Sequence, residues 1–162
     1  MSNEKQVAVK AVLDFWNSRI KEADTLIESL TDEQLQKEVA PGKNRGIYLL
    51  GHLTAVHDRM IPLLNFGEQL YPELGDVFLT KPDKSGAAMP SVEDLRARWK
   101  NANSKLATHF NNLKPEEWFE KHTSVSAEDF AKEPHRNRLN VVIGRAGHLA
   151  YHVGQMVFLK NK

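Results

Sequence analysis

The chain contains no cysteine. That absence excludes a disulfide framework, a thiolate-bound metal and a cysteine nucleophile, and it fits a reducing cytoplasm. Strand signals are almost as scarce, with no hairpin dipeptide and no sustained alternation bounded by turns. An excess of charge of one sign is missing too. With 22 basic residues against 21 acidic ones the formal net charge is +1, so no global field draws in nucleic acid or an anionic membrane. Met1 to Lys10 is polar and no small-residue cleavage site follows an apolar run, so no signal peptide is expected. No repeat or low-complexity tract stands out. What is present is 162 residues, 41% hydrophobic and 27% charged, a normal balance for one domain with its own core. The expectation is a single cytoplasmic domain over residues 1–162 that binds neither nucleic acid nor membrane.

Apolar spacing fills that domain with helices. From about Glu4 to Leu30, residues such as Val7, Phe15, Trp16, Ala23 and Ile27 recur at steps of three to five between charged positions. Thr31-Asp32-Glu33-Gln34 opens a short second helix, and Pro41-Gly42 closes that segment. A long helix follows from near Asn44 through RGIYLLGHLTAVHDRM, with Pro62 placed to kink or end it. Between Leu70 and Pro90, Pro72, Pro82 and Pro90 with Gly75 and Gly86 predict an irregular connection, long enough to be a candidate functional loop. Ser91 starts another long helix that ends near Leu113, Pro115 begins a short turn, and a further short turn falls around Ala127–Lys132. Trp16, Trp99 and Trp118 read as core anchors. The expected fold is all-α, most simply a four-helix bundle.

The last long helix is LNVVIGRAGHLAYHVGQMVFL, from Leu139 to Leu159, apolar on nearly every side. It is the one stretch of membrane length, but Arg145 and two histidines would lie in mid-bilayer, so a buried core helix is the better reading. Gly144, Gly147 and Gly154 weaken its helix propensity, and close helix approach is the expected reason for them. His148 and His152 are spaced i, i+4, which stacks two imidazoles about 6 Å apart on one face of a helix rising ~1.5 Å per residue. A divalent ion with bonds of ~2.1 Å fits between two such rings. His52, inside LLGHLTAV, would also point inward. Three neutral imidazoles from two facing helices form an open metal site, with positions left for water or substrate.

A single histidine on an apolar face is more often a hydrogen-bonded core residue than a ligand, and a lone H-x-x-x-H is weak. Two adjacent imidazoles among Leu, Val and Ala are a stronger signal, because each needs a partner that those side chains cannot supply. His57, five residues after His52, is rotated away from it and reads as a solvent or interface residue. His109, His122 and His135 stand in polar surroundings and read as surface residues. Gln155 either hydrogen-bonds to His152 from outside the ligand set or serves interhelical packing. Arg145 either binds an anionic substrate group or pairs with an acid on a neighbouring helix. Asp58 and the acids of the 71–90 loop are candidates for a general base; no catalytic residue is assigned.

The LLGHL histidine, the PGKNRGIYLLGHL approach to its helix and the H-x-x-x-H-x-G-Q ending together resemble the DinB-like (DinB/YfiT) family of metal-binding four-helix bundles. The similarity covers most of the chain. It implies an up-down-down-up bundle, a homodimer, and a divalent ion, zinc or nickel, held by His52, His148 and His152. It further implies an enzyme that transfers a low-molecular-weight thiol to an electrophilic small molecule. A metal-dependent hydrolase and a non-catalytic metal-binding stress-response protein are the alternatives within the same resemblance.

Overall fold

The computed structural model describes residues 2–161. Its elements in chain order are α1 (Ser2–Ser29), α2 (Asp32–Leu35), α3 (Gly46–Leu63), a π-helical turn (Asp76–Thr80), α4 (Val92–Asn112), a 3-10 turn (Pro115–Phe119), α5 (Ala127–Lys132), α6 (Arg138–Met156) and a closing 3-10 turn (Val157–Asn161). Among the described residues, β structure is limited to isolated bridges, Glu38 with Arg45 and Lys121 with Asn137. Among the described residues no helix is long and apolar enough to cross a membrane.

Local chemistry sets the boundaries. Thr31 and Gln34 form a reciprocal capping box at α2. Ser91, Ser126 and Asn137 each accept a backbone N–H at the start of α4, α5 and α6. α3 has no side-chain cap of its own. Its first turn is instead served by Asp83 of the long connection, whose carboxylate accepts from the Arg45 backbone N–H at 2.8 Å and pairs with the Arg45 guanidinium. Pro62 sits in the last turn of α3, which stops at Leu63. The Arg96 guanidinium donates to the carbonyls of Ile27 and Leu30, closing the C-terminal end of α1.

α1 packs along α6 and α3 packs along α4, while α3 and α6 touch much less extensively. The core divides into two apolar clusters. One includes Ala23, Leu26, Leu50, Phe78, Trp99 and Leu149; the other includes Trp16, Met60, Leu106, Phe110, Trp118 and Val142. The three tryptophans are all buried core residues. Val7 and Phe15, which share the apolar spacing of α1, lie on its exposed side.

Three expectations are corrected. The 139–159 stretch is not buried all round: Ile143 and Tyr151 of α6 and Phe158 of the closing turn keep 46%, 63% and 63% of their surface, because α1, α3 and the Pro115–Phe119 turn cover only part of α6. Its glycines are not close-approach points, since a Cβ at Gly144, Gly147 or Gly154 would meet nothing within 4 Å. The close approach is in α3, where a Cβ on Gly51 would lie 2.3 Å from the Phe78 ring. The 71–90 connection is not wholly irregular either. Its π-helical turn buries Phe78 against that glycine, and the Tyr48 hydroxyl donates to the Lys81 carbonyl at 2.7 Å.

Candidate metal centre

His52 stands in the second turn of α3, and His148 and His152 stand one turn apart on α6. Their Nε2 atoms converge: His148 Nε2 lies 3.2 Å from His52 Nε2 and 3.1 Å from His152 Nε2. One donor atom from each ring lies within 4.8 Å of the other two, and all three side chains are half-buried. The outer nitrogens fix the tautomers of two rings. His52 Nδ1 donates to the Phe78 carbonyl at 2.9 Å, and His152 Nδ1 donates to Gln155 Oε1 at 2.8 Å. Both Nε2 atoms are therefore bare lone pairs aimed at His148.

His148 brings one ring hydrogen and faces two lone pairs, so a hydrogen bond satisfies one of them at most. A shared cation satisfies all three. A protonated ring is a poor candidate for that cation, because burial first, then His152, His52 and Arg145, push His148 down to about 4. His152 is also lowered, chiefly by burial. A divalent metal fits the donor set. Ligand nitrogens ~2.1 Å from a common ion at tetrahedral or octahedral angles stand roughly 3.0–3.4 Å apart, and two of the three separations here, 3.1 and 3.2 Å, fall in that range while the His52–His152 pair lies within 4.8 Å. With His148 Nε2 so used, its buried Nδ1–H is left without an acceptor. No fourth His, Asp or Glu joins the group among the described residues, so a bound ion would keep positions open.

The remaining sequence candidates fall in two groups. Gln155 touches the cluster through His152, and Arg145 lies on the same flank of α6 with its guanidinium half-buried. The proposed general bases do not reach it. Asp58 is fully buried and accepts the backbone N–H groups of Leu70 and Tyr71 at 2.8 and 2.9 Å, which ties down the start of the connection. Glu73 pairs with Arg98, Asp76 with Lys81 and Asp83 with Arg45. None of these carboxylates bonds to a cluster imidazole.

His57 contradicts its sequence reading outright. It is fully buried, held between the tilted rings of Trp16 and Trp99 with centroids 5.0 and 4.8 Å away. Its Nδ1 donates to Asn103 Oδ1 at 2.7 Å, and burial pushes it down to about 4. The reason is that α3 is covered on nearly every side, so a residue facing away from His52 meets α1 and α4 rather than water. His135 is exposed as expected, whereas His122 is half-covered and His109 stacks on Phe66 at 4.5 Å.

Two contributors had weak sequence signals. Phe78 supplies a backbone carbonyl, which no side-chain motif records. Tyr48, one turn before His52, stacks near it at 6.4 Å, and the i, i+4 spacing of Tyr48 and His52 was the available clue. Open clefts of about 510 Å³ beside Asn65 and Arg138, and about 440 Å³ between Leu26 and Val153, are lined by none of the three histidines.

Comparison with known proteins agrees with this architecture. A family model described as the DinB superfamily matches residues 16–156. Among curated proteins no significant match is found. A solved structure, that of a conserved protein from Enterococcus faecalis, superposes with a TM-score of 0.61 at 15% identity, covering 95% of this chain and 93% of that one. At that identity the likeness is one of fold.

Proposed function

Because the chain belongs to the DinB superfamily, we propose that it is a divalent-metal-dependent protein that transfers a low-molecular-weight thiol to an electrophilic small molecule. The observation that carries this reading is the convergence of three imidazole Nε2 atoms with no fourth His, Asp or Glu joining them among the described residues. In this reading His52, His148 and His152 hold the ion, zinc or nickel. The Phe78 carbonyl and Gln155 keep two of those rings turned with a lone pair inward. When bound, such an ion supplies Lewis acidity that lowers the pKa of a thiol or water brought to it.

The three imidazoles are half-buried, so the cluster is neither sealed from a small molecule nor fully open to water. That suits thiol transfer, where hydrolysis of the electrophile is the competing loss. The thinly packed α3–α6 seam supports an up-down-down-up arrangement in which the α1/α6 and α3/α4 pairs face each other across the site. A homodimer and a cytoplasmic location belong to the same reading.

The test uses protein purified without a histidine tag and loaded with zinc or nickel. Conjugation of bacillithiol, mycothiol or glutathione to monochlorobimane, dependent on the metal, is the expected result. Failure with all three thiols, together with metal-dependent ester or amide cleavage, would select the hydrolase. Stoichiometric metal with neither activity would select a binding protein.

A further inference from the structure

Apart from Arg59, which lies on the exposed side of α3, every other arginine pairs with a carboxylate: Arg19 with Glu22, Arg45 with Asp83, Arg96 with Asp32, Arg98 with Glu73, Arg136 with Glu133 and Arg138 with Glu120. Arg145 does not. Its guanidinium is half-buried yet makes no ion pair or hydrogen bond with a described residue, and burial alone acts on it, lowering its pKa. A partly buried guanidinium that has no partner among the described residues while its nitrogens still reach solvent is placed to take a ligand. The position is specific. Arg145 precedes His148 by three residues and His152 by seven, which puts all three on one flank of α6. Cβ atoms three apart on a helix are about 5–6 Å apart, so a short molecule can touch both. No carboxylate acts on Arg145, His148 or His152, so a divalent ion here would leave the flank strongly electropositive.

We infer that Arg145 is the anion-binding half of the site, taking a carboxylate carried by the same small molecule that offers its thiol to the three imidazoles. A guanidinium presents a planar fork that matches a carboxylate with two parallel hydrogen bonds. No second cation acts on Arg145, so its one fork is matched by one carboxylate. This inference rests on the thiol-binding reading above and names the substrate class within it.

The test compares 3-mercaptopropionate with its neutral amide, 3-mercaptopropionamide, on zinc-loaded wild-type protein, R145Q and R145K. Affinities come from calorimetry, and zinc content is measured on the same samples. Wild-type protein should prefer the acid by about ten- to hundredfold. R145Q should take up zinc normally and lose the preference, and R145K should recover part of it. Equal affinity for acid and amide in the wild type, or an undiminished preference in R145Q, overturns the inference while leaving the metal reading intact. Absence of stoichiometric zinc in the wild type counts against the metal reading instead. The arginine is then judged on metal-free protein by the Arg145 Nε–H resonance during a propionate titration. A saturable shift upholds the carboxylate site and no shift overturns it.

Discussion

At the scale of single residues, the three ligand candidates and His57 separate two uses of buried imidazole. His148 stands between two bare lone pairs, so removing it or His152 takes away a donor that nothing nearby replaces. His148→Ala and His152→Ala are expected to abolish stoichiometric zinc or nickel binding while leaving helix content intact. Metal analysis beside circular dichroism checks this, and retained binding in either variant would mean the ligands are wrongly chosen. His57 serves the core. It lies where the two apolar clusters meet, with a tryptophan from each on either face. Its folded pKa, about 4, is below the 6.5 of the free side chain. The unfolded chain therefore binds the extra proton between those values. Stability from this residue is complete above pH 6.5 and is lost as pH falls toward 4, at up to about 1.4 kcal/mol per pH unit. Around the ring stand Asn103, Trp16 and Trp99, with Arg145, His148 and His52 as the charged or titratable neighbours. His57→Phe in metal-free protein should flatten the loss of stability between pH 7 and pH 5, measured by urea unfolding. An unchanged pH dependence would show that His57 is not the titrating group.

At the scale of elements, the site depends on how the 71–90 connection sits on α3. Gly51 lets the Phe78 ring lie against the helix, and the carbonyl of the same Phe78 holds His52. Gly51→Ala would place a methyl 2.3 Å from a buried ring, closer than any contact can be, so the turn must move. The expected cost is roughly 1–3 kcal/mol, with weaker zinc affinity because the His52 tautomer loses its acceptor. Phe78→Ala should cost about 3–5 kcal/mol by cavity formation. In the double variant the added methyl meets no ring, so the two effects should fall well short of additive. Full additivity in a double-mutant cycle would disprove the contact. The helices themselves were legible from sequence. Ser91 and Thr31 as caps, Pro115 in a first turn and Ala127–Lys132 as a short helix all stand where spacing and capping chemistry put them. So did the inward facing of His52, His148 and His152. What spacing could not reveal is contact between elements. A glycine reads the same whether its neighbour is a ring or water, and here Gly51 meets the ring while Gly144, Gly147 and Gly154 meet nothing. His57 falls under the same limit, because rotation away from His52 does not mean exposure on a helix covered on nearly every side.

At the scale of the whole molecule, the fold is two well-packed helix pairs, α1 with α6 and α3 with α4, joined by a sparser α3–α6 seam. The three imidazoles bridge that seam, one from α3 and two from α6. An ion held there would tie the two pairs together, and it would do so only in the folded chain, because His52 lies 96 residues before His148 in sequence. Binding of this kind stabilises by about 2.7 kcal/mol when free metal is 100 times its dissociation constant. For a chain of this size that raises the melting temperature by roughly 5–10 °C. The gain should grow with the logarithm of zinc concentration, vanish on chelation, and be absent from His148→Ala and His152→Ala. Arg145→Gln should retain it, since that residue is assigned to the ligand and not to the ion. Thermal melts of the four proteins across a zinc series decide the matter. An equal rise in the histidine variants would locate the metal elsewhere, and the seam would then be held by side-chain packing alone.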